Sequence, residues 1–374
     1  MDDSVRITRR EFIKRSSLIT ACASVIPGLG FENLAVAATV REARYYTKLE
    51  GNRIQCQLCP WNCIVKPGQR GHCQVRENRH GTYFTLVYGK ISAYHNDPIE
   101  KKPFFHVLPS TNAFSIASVG CNVDCLFCQN WELARRGLNE VYTVDFTAED
   151  IVNYAKKMNS RSIAFTYNEP TIFNEFVYDV AAHAQEQGLK SVIVSNGFIN
   201  QKPLLDLCSK IDAYKVDLKG FTQEYYQQVV QGRLEPVKNT LVTLKQAGVW
   251  SEIVYLIVPT LNDDMNDIRK MCQWIVSELG DEVPVHFSRF YPKYKLKNLP
   301  PTPVETLVEA RKTALDSGIK FAYVGNIPGH EGENTYCPSC NKILIRRVGY
   351  MVYENHVKKG KCEYCGEKIP GIWE

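Results

Sequence analysis

The segment Ser118-Val119-Gly120-Cys121-Asn122-Val123-Asp124-Cys125-Leu126-Phe127-Cys128-Gln129-Asn130 spaces three cysteines as Cys-x3-Cys-x2-Cys, with no fourth cysteine close by. Thiolates this near in sequence can converge on one metal centre. Three of them on a 4Fe–4S cubane leave one iron without a protein ligand, the kind of open position that catalytic metal sites keep. A zinc site, or a coincidence of three cysteines, is the bland alternative. Two further groups flank this one. Cys56-x2-Cys59-Pro60-x2-Cys63, followed by Gly68, Gly71 and Cys73, offers four thiols, enough to close a coordination sphere around zinc or an auxiliary iron–sulfur cluster. His72 is a spare ligand of suitable type. Cys337-Pro338-Ser339-Cys340 and Cys362-Glu363-Tyr364-Cys365 form two knuckles separated by twenty-one residues, a zinc-ribbon or rubredoxin-like arrangement. Four thiolates there imply a structural or electron-transfer role, with zinc favoured over iron. These groups hold eleven of the fourteen cysteines. A disulfide framework is disfavoured, because disulfides are mostly a device of small secreted domains.

These residues must be positioned by the elements around them. From residue 112 onward short apolar runs alternate with amphipathic stretches. Strands are predicted at Ala113–Val119, Ser162–Thr166, Ser191–Ser195, Ala213–Val216, Glu252–Val258, Val285–Phe290 and Lys320–Val324. Helices are predicted at Ala148–Met158, Ile172–Gln187, Pro203–Lys210, Glu235–Ala247, Met265–Leu279 and Pro303–Ser317. Thr147 with Asp150 reads as a capping box, and Gly188 and Gly248 sit where a helix ends on a left-handed residue. The alternation predicts parallel strands joined by right-handed crossovers, an α/β architecture in which function gathers at the strand C-termini. Residues 41–111 and 330–374 lack the alternation and carry the flanking cysteines, so they read as appended modules around a 112–329 barrel. Cys208 and Cys272 fall on amphipathic stretches and read as core.

The cysteine spacing, its place after a strand and Phe127 just before the third cysteine resemble the radical SAM superfamily. Within it the chain resembles the radical SAM member of the AmmeMemoRadiSam system, which is similar to pyruvate formate-lyase activating enzymes. The resemblance spans about residues 50–374 and is sharpest over Gly120–Asn130. It implies a partial (β/α)6-type barrel. It implies a 4Fe–4S cluster on Cys121, Cys125 and Cys128, whose open iron chelates S-adenosylmethionine (SAM) for reductive cleavage to a 5′-deoxyadenosyl radical that abstracts hydrogen from a substrate. The cofactor carries that chemistry, and the protein orients and shields it. Thr166-Tyr167-Asn168-Glu169-Pro170 stands where the superfamily holds the SAM amino group, with Glu169 the expected ligand and Asn168 departing from a double glycine. Ser195-Asn196-Gly197 resembles the ribose-contacting position. Asp217 and Lys219, in Lys215-Val216-Asp217-Leu218-Lys219, are implied to face SAM or substrate, as is His286. Pro259–Asp263 looks like a loop over the adenine. Each has a plainer reading: Glu169-Pro170 as a helix start, Asn196-Gly197 as a turn, Asp217 and Lys219 as an internal ion pair, His286 as a packed histidine. The activase resemblance makes a protein or peptide an expected substrate, and a low-potential electron donor an expected partner.

Length and composition agree with an ordinary globular protein: 374 residues, 44% hydrophobic and 23% charged. A net charge of +5 without a basic run gives no reason to expect nucleic acid. The N-terminus, Thr8-Arg9-Arg10-Glu11-Phe12-Ile13-Lys14 with an apolar stretch and Ala35-Val36-Ala37, resembles a twin-arginine export signal over residues 1–40. If it is used, an extracytoplasmic location is expected; otherwise a cytoplasmic one. The apolar stretch, broken by Pro27 and Gly28, is too short for a stable membrane span. Ile19-Thr20-Ala21-Cys22 makes lipidation a lesser option. The rival functional readings are an exported iron–sulfur electron-transfer or assembly protein without SAM chemistry, and a zinc-ribbon interaction module.

Overall fold

Parallel strands need apolar residues on both faces, and the strands that form here have them: all four residues of Ser162–Phe165 are buried, as are four of the five in Ala213–Asp217. In the computed structural model, which describes residues 40–374, the main sheet has eight strands. They are β1 (Ala93–Pro98), β2 (Asn112–Ala117), β3 (Ser162–Phe165), β4 (Lys190–Ser195), β5 (Ala213–Asp217), β6 (Trp250–Ile257), β7 (Val285–Arg289) and β8 (Ala322–Gly325). They lie side by side in chain order, β2 to β8 parallel. Strands β1 and β8 stand at opposite ends, so the barrel is partial. The export-signal reading of residues 1–40 and Cys22 lie outside the described residues, Val40 apart.

The crossovers are α1 (Ala148–Lys157), α2 (Asn174–Glu186), α3 (Gln201–Cys208), α4 (Leu234–Gln246), α5 (Met265–Leu279) and α6 (Val304–Asp316). Thr147 and Asp150 form the expected reciprocal cap on α1, and Asp264 caps α5 by accepting from the Asn266 and Asp267 amides. Gly188 and Gly248 adopt φ of 71° and 70°. Cys272 is buried in the main core, and Cys208 packs against it. Among the described residues, no helix is long and apolar enough to cross a membrane.

Strand β1 was not among the expected elements. It pairs antiparallel with β2, and Ala-Tyr-His-Asn-Asp-Pro has no apolar alternation to announce a strand. The residues after it belong physically to the barrel although the sequence places them with the N-terminal module. Ile99, Phe104, Val107 and Leu108 pack against Ala113, Ala164, Val192 and Ala213, small residues that leave room for this plug.

The C-terminal module docks on the same segment. Its strands Thr335–Tyr336, Ile343–Val348 and Met351–Asn355 form an antiparallel sheet whose core joins Leu344, Ile345 and Cys362 to Phe105, Phe321 and Tyr323. Buried Arg347 donates to the Phe105 carbonyl at 2.8 Å, and Ile372 exchanges backbone hydrogen bonds with His106 and Leu108. The N-terminal module is tied down by Arg76. Its guanidinium is fully buried and pairs with Glu175 of α2 through both nitrogens, one at 2.9 Å. Two-pronged pairing is what allows a buried charge to persist.

Candidate active site

Cys121, Cys125 and Cys128 lie in the loop that leaves β2, at the C-terminal end of the sheet. That loop is held from several sides. The Asp124 and Leu126 amides donate to the Val230 and Val229 carbonyls at 3.1 and 3.0 Å, and Asn122 Nδ2 donates to the Phe198 carbonyl at 2.7 Å. Gly120 turns with φ of 99°, and a Cβ there would sit 2.9 Å from Val75 and 3.1 Å from the Cys73 carbonyl. Only glycine fits that turn.

The three cysteines and Phe127 line a cavity of about 410 Å³ inside the barrel. Burial pushes the Cys125 thiol up to about 12 despite the nearby Lys219 ammonium. Ligation of a metal centre would require the thiolate form. Among the described residues, these three do not bring their sulfurs within 4.8 Å of one another, as a single ion would require.

Glu169 faces the same cavity from the end of β3 and is 2% exposed. Its Oε1 accepts from the Thr171 amide at 2.9 Å and Ser195 Oγ at 2.7 Å, and its Oε2 from the Asn196 amide at 2.9 Å. Burial raises its carboxyl above the usual range, with these donors opposing the shift. Oε2 keeps accepting capacity for one more donor. Asn168, where a double glycine was expected, braces the cluster loop: it donates to the Gly120 carbonyl at 3.0 Å and accepts from the Ser118 amide at 3.1 Å. The left-handed turn falls instead on Tyr167, φ 68°.

Ser195 and Asn196 also line the cavity, but their polar atoms are engaged within the protein. Ser195 donates to Glu169 and accepts from the Gly197 amide, while Asn196 Nδ2 donates to Asn122 and lies 3.8 Å from Cys121 Sγ. The Pro259–Asp263 loop is not part of the cavity wall. Asn262 turns back to accept from the Val258 amide and to donate to the Lys219 and Leu256 carbonyls.

Asp217 and Lys219 do form an ion pair, at 3.2 Å, and both line the cavity. Burial alone would raise the Asp217 carboxyl, but Lys215 and Lys219 outweigh it and hold it down at about 2. His286 Nε2 lies 2.7 Å from Glu252, which also accepts from the Phe105 and His106 amides. Burial lowers the imidazole's pKa against the opposing pull of Glu252, and Nε2 donates to that carboxylate.

Sequence reasoning passed over Lys215 and Lys102 of the cavity wall and Asp97 behind it. Lys215 is 4% exposed and pairs with Asp217; the alternation of Lys215, Asp217 and Lys219 along one strand face would have found it. Asp97, Lys102 and Tyr167 form a second buried ionic group, with Lys102 Nζ 2.5 Å from Asp97 and the Tyr167 hydroxyl donating to the same carboxylate. Burial brings the Lys102 ammonium down to about 8 despite Asp97. Asp97 and Lys102 carried no signal, because Asp97 lies on the unexpected edge strand, and Tyr167 stood inside the Glu169 motif without a role of its own.

The flanking cysteines behave differently from one another. Cys337, Cys340, Cys362 and Cys365 gather all four sulfurs within 4.8 Å, with Cys337–Cys365 at 3.6 Å and Cys340–Cys362 at 3.8 Å. A tetrahedral ion with metal–sulfur bonds of about 2.3 Å sets its sulfurs about 3.8 Å apart, so these residues fit one metal ion. Cys56 and Cys63 sit opposite each other through the Cys56 amide and Cys63 carbonyl at 2.9 Å, with Cys59 and Cys73 on adjoining turns. His72 is drawn off by Asp124 at 3.3 Å and packs tilted against Trp61.

The Radical SAM superfamily model matches residues 115–275, from the strand before the cysteine loop to α5. An uncharacterized protein of Methanocaldococcus jannaschii is 44% identical over 88% of this chain and 99% of its own. The chain belongs to the radical SAM superfamily. It is related to the pyruvate formate-lyase activating enzymes, that of Escherichia coli K12 being 27% identical over 54% of this chain and 89% of its own length. Among solved structures, Streptococcus suis SuiB aligns over 61% of this chain and 52% of its own, with a TM-score of 0.47 at 12% identity. Superfamily membership implies a 4Fe–4S cluster and SAM, and the three thiols and Glu169 on one cavity fit both.

Proposed function

We propose that this radical SAM protein binds SAM between Cys121/Cys125/Cys128 and Glu169, cleaves it reductively, and abstracts a hydrogen atom from a substrate held deeper in the same cavity. One observation carries the reading: the three thiols, the Glu169 carboxylate and the Lys215–Asp217–Lys219 group all line one cavity. When bound there, the cluster and SAM supply a 5′-deoxyadenosyl radical. The protein's part is to orient and to exclude water. Glu169 is held rigid by three donors, with accepting capacity left for an ammonium. Lys215, Lys219 and Lys102 surround the interior with cations only partly neutralised by Asp217 and Asp97, a setting that favours an anionic substrate group.

The activase relationship supports a protein or peptide substrate. At about 410 Å³ the cavity sits near the low end for small-molecule sites, so such a substrate would reach it by one extended loop or side chain. Tyr350 and Gly349 of the C-terminal hairpin line the cavity, which gives that module a part in admitting the substrate. The activase match covers only 54% of this chain, and the two cysteine modules argue for a different substrate from theirs. An iron–sulfur carrier without SAM chemistry would need neither the cavity nor Glu169. In the C-terminal site, four thiolates in single-ion geometry would hold zinc. A low-potential one-electron donor and export by a twin-arginine signal complete the proposal.

The test is anaerobic reconstitution with iron and sulfide, then dithionite and SAM, with chromatographic detection of 5′-deoxyadenosine. The native protein should form it and Cys125→Ala should not. A fully loaded native protein that leaves SAM intact would sink the proposal.

A further inference from the structure

The four N-terminal thiols stand outside the chemistry derived so far, since none of them lines the barrel cavity. They nevertheless lie close together, Cys56 and Cys59 buried and Cys63 and Cys73 half-buried. Cys59 is 8% and Cys56 6% exposed, and Tyr83, which is fully buried, places its hydroxyl among Cys56, Cys63 and Cys73. That hydroxyl points toward the Cys56 sulfur and finds no oxygen or nitrogen acceptor in the protein, although it is a donor enclosed on all sides. A buried donor left unpaired is costly, so an acceptor belongs in the space it faces. The backbone closes tightly on the same space. A Cβ on Gly71 would lie 2.6 Å from the Tyr83 hydroxyl and 3.8 Å from Cys63 Sγ, and the His72 amide donates to Cys63 Sγ at 3.4 Å.

The spread of the sulfurs tells which acceptor fits. The four C-terminal thiols close to 3.6–3.8 Å pairs, the geometry of one ion. Among the described residues, no three of the four N-terminal thiols come within 4.8 Å of one another, and the same holds for Cys121, Cys125 and Cys128. Terminal thiolates of a cubane sit on different irons and so stand on the order of 6 Å apart. Neither the N-terminal four nor the cluster triad closes to the single-ion spacing of the C-terminal site.

We propose that Cys56, Cys59, Cys63 and Cys73 hold a second, fully cysteine-ligated iron–sulfur cluster, with the Tyr83 hydroxyl donating to one of its sulfurs. The site abuts the first cluster's loop: the Cys73 carbonyl packs on Gly120, and Trp61 Nε1 donates to the Asn122 carbonyl at 2.6 Å. With no open iron and no wall of the cavity, it would neither bind SAM nor touch substrate. The inference is independent of SAM cleavage and stands or falls on metal content.

The experiment uses the full chain with Cys121→Ala, Cys125→Ala and Cys128→Ala together, purified anaerobically. Iron, zinc and acid-labile sulfide are measured per chain, followed by electron paramagnetic resonance after reduction. The expected result is about four irons with about four sulfides, and a reduced-cluster signal that SAM does not alter. Adding Cys56→Ser and Cys59→Ser should remove the iron and sulfide while the C-terminal metal stays, which also reports that the chain is folded. Tyr83→Phe should keep the cluster and shift its midpoint potential. A triple variant without sulfide overturns the proposal, whether its N-terminal site then holds zinc or nothing; iron without sulfide would mark only a rubredoxin-like ion.

Discussion

Glu169→Gln is the sharpest perturbation of the SAM site, because it keeps the side chain's shape and removes only charge and one acceptor. In the native protein Oε1 serves the Thr171 amide and Ser195 Oγ, and Oε2 serves the Asn196 amide. A glutamine can keep Oε1 for the first two only by turning its NH2 toward the Asn196 amide, donor against donor. Folding stability should fall by about 1–3 kcal/mol for that unsatisfied donor. The larger effect is on the ligand. A hydrogen bond from an ammonium to a buried carboxylate contributes about 1.5–3 kcal/mol, which corresponds to a rise of about 10- to 150-fold in the Kd for SAM. The assay is a SAM titration of the reconstituted variant followed by the cluster's paramagnetic signal, with iron counted and thermal unfolding recorded in parallel. If the variant carries a full complement of iron and its Kd stays within about twofold of native, Glu169 does not receive the SAM amino group and the orientation assigned to the ligand is wrong.

Two further outcomes test the surroundings. Lys102 has its folded pKa lowered by burial to about 8 from 10.5, so between those values the unfolded chain holds the proton that the folded chain has lost. Stability should therefore rise with pH across about 8–10.5, by an amount on the order of 3 kcal/mol. Urea unfolding at several pH values should show this rise as the change with pH in the stability difference between the native protein and Lys102→Met; a difference that does not change with pH would refute the assignment. Cys362→Ser opens the C-terminal site, whose sulfurs border a core that includes Phe105 and Tyr323. It should cost about one metal ion and on the order of 5 kcal/mol of stability, read by elemental analysis and thermal scans; an unchanged metal count would show that the four thiols do not act together.

Much of this protein is written along its chain because the determinants are local. The Cys-x3-Cys-x2-Cys spacing, the capping box at Thr147, the left-handed glycines ending α2 and α4, and the apolar runs of β3 to β8 each depend on residues a few positions apart. Strand–helix alternation then leaves little choice of topology, since parallel crossovers take one hand. The two C-terminal knuckles announced a closed metal site for the same reason.

What the tertiary structure decided was everything that depends on residues distant in sequence meeting in a low-dielectric interior. Asp97, Lys102 and Tyr167 become one ionic group only because a polar edge strand pairs with β2 and its continuation plugs the barrel. His286 reads alone as an ordinary histidine, and it is the Glu252 carboxylate, 34 residues away, that sets its tautomer. The N-terminal and C-terminal cysteine groups look alike as strings of thiols. Their difference lies in how closely the sulfurs approach: the C-terminal four close to single-ion spacing, and the N-terminal four do not. Spacing along a chain says that thiols can meet; how closely they meet is a property of the folded core.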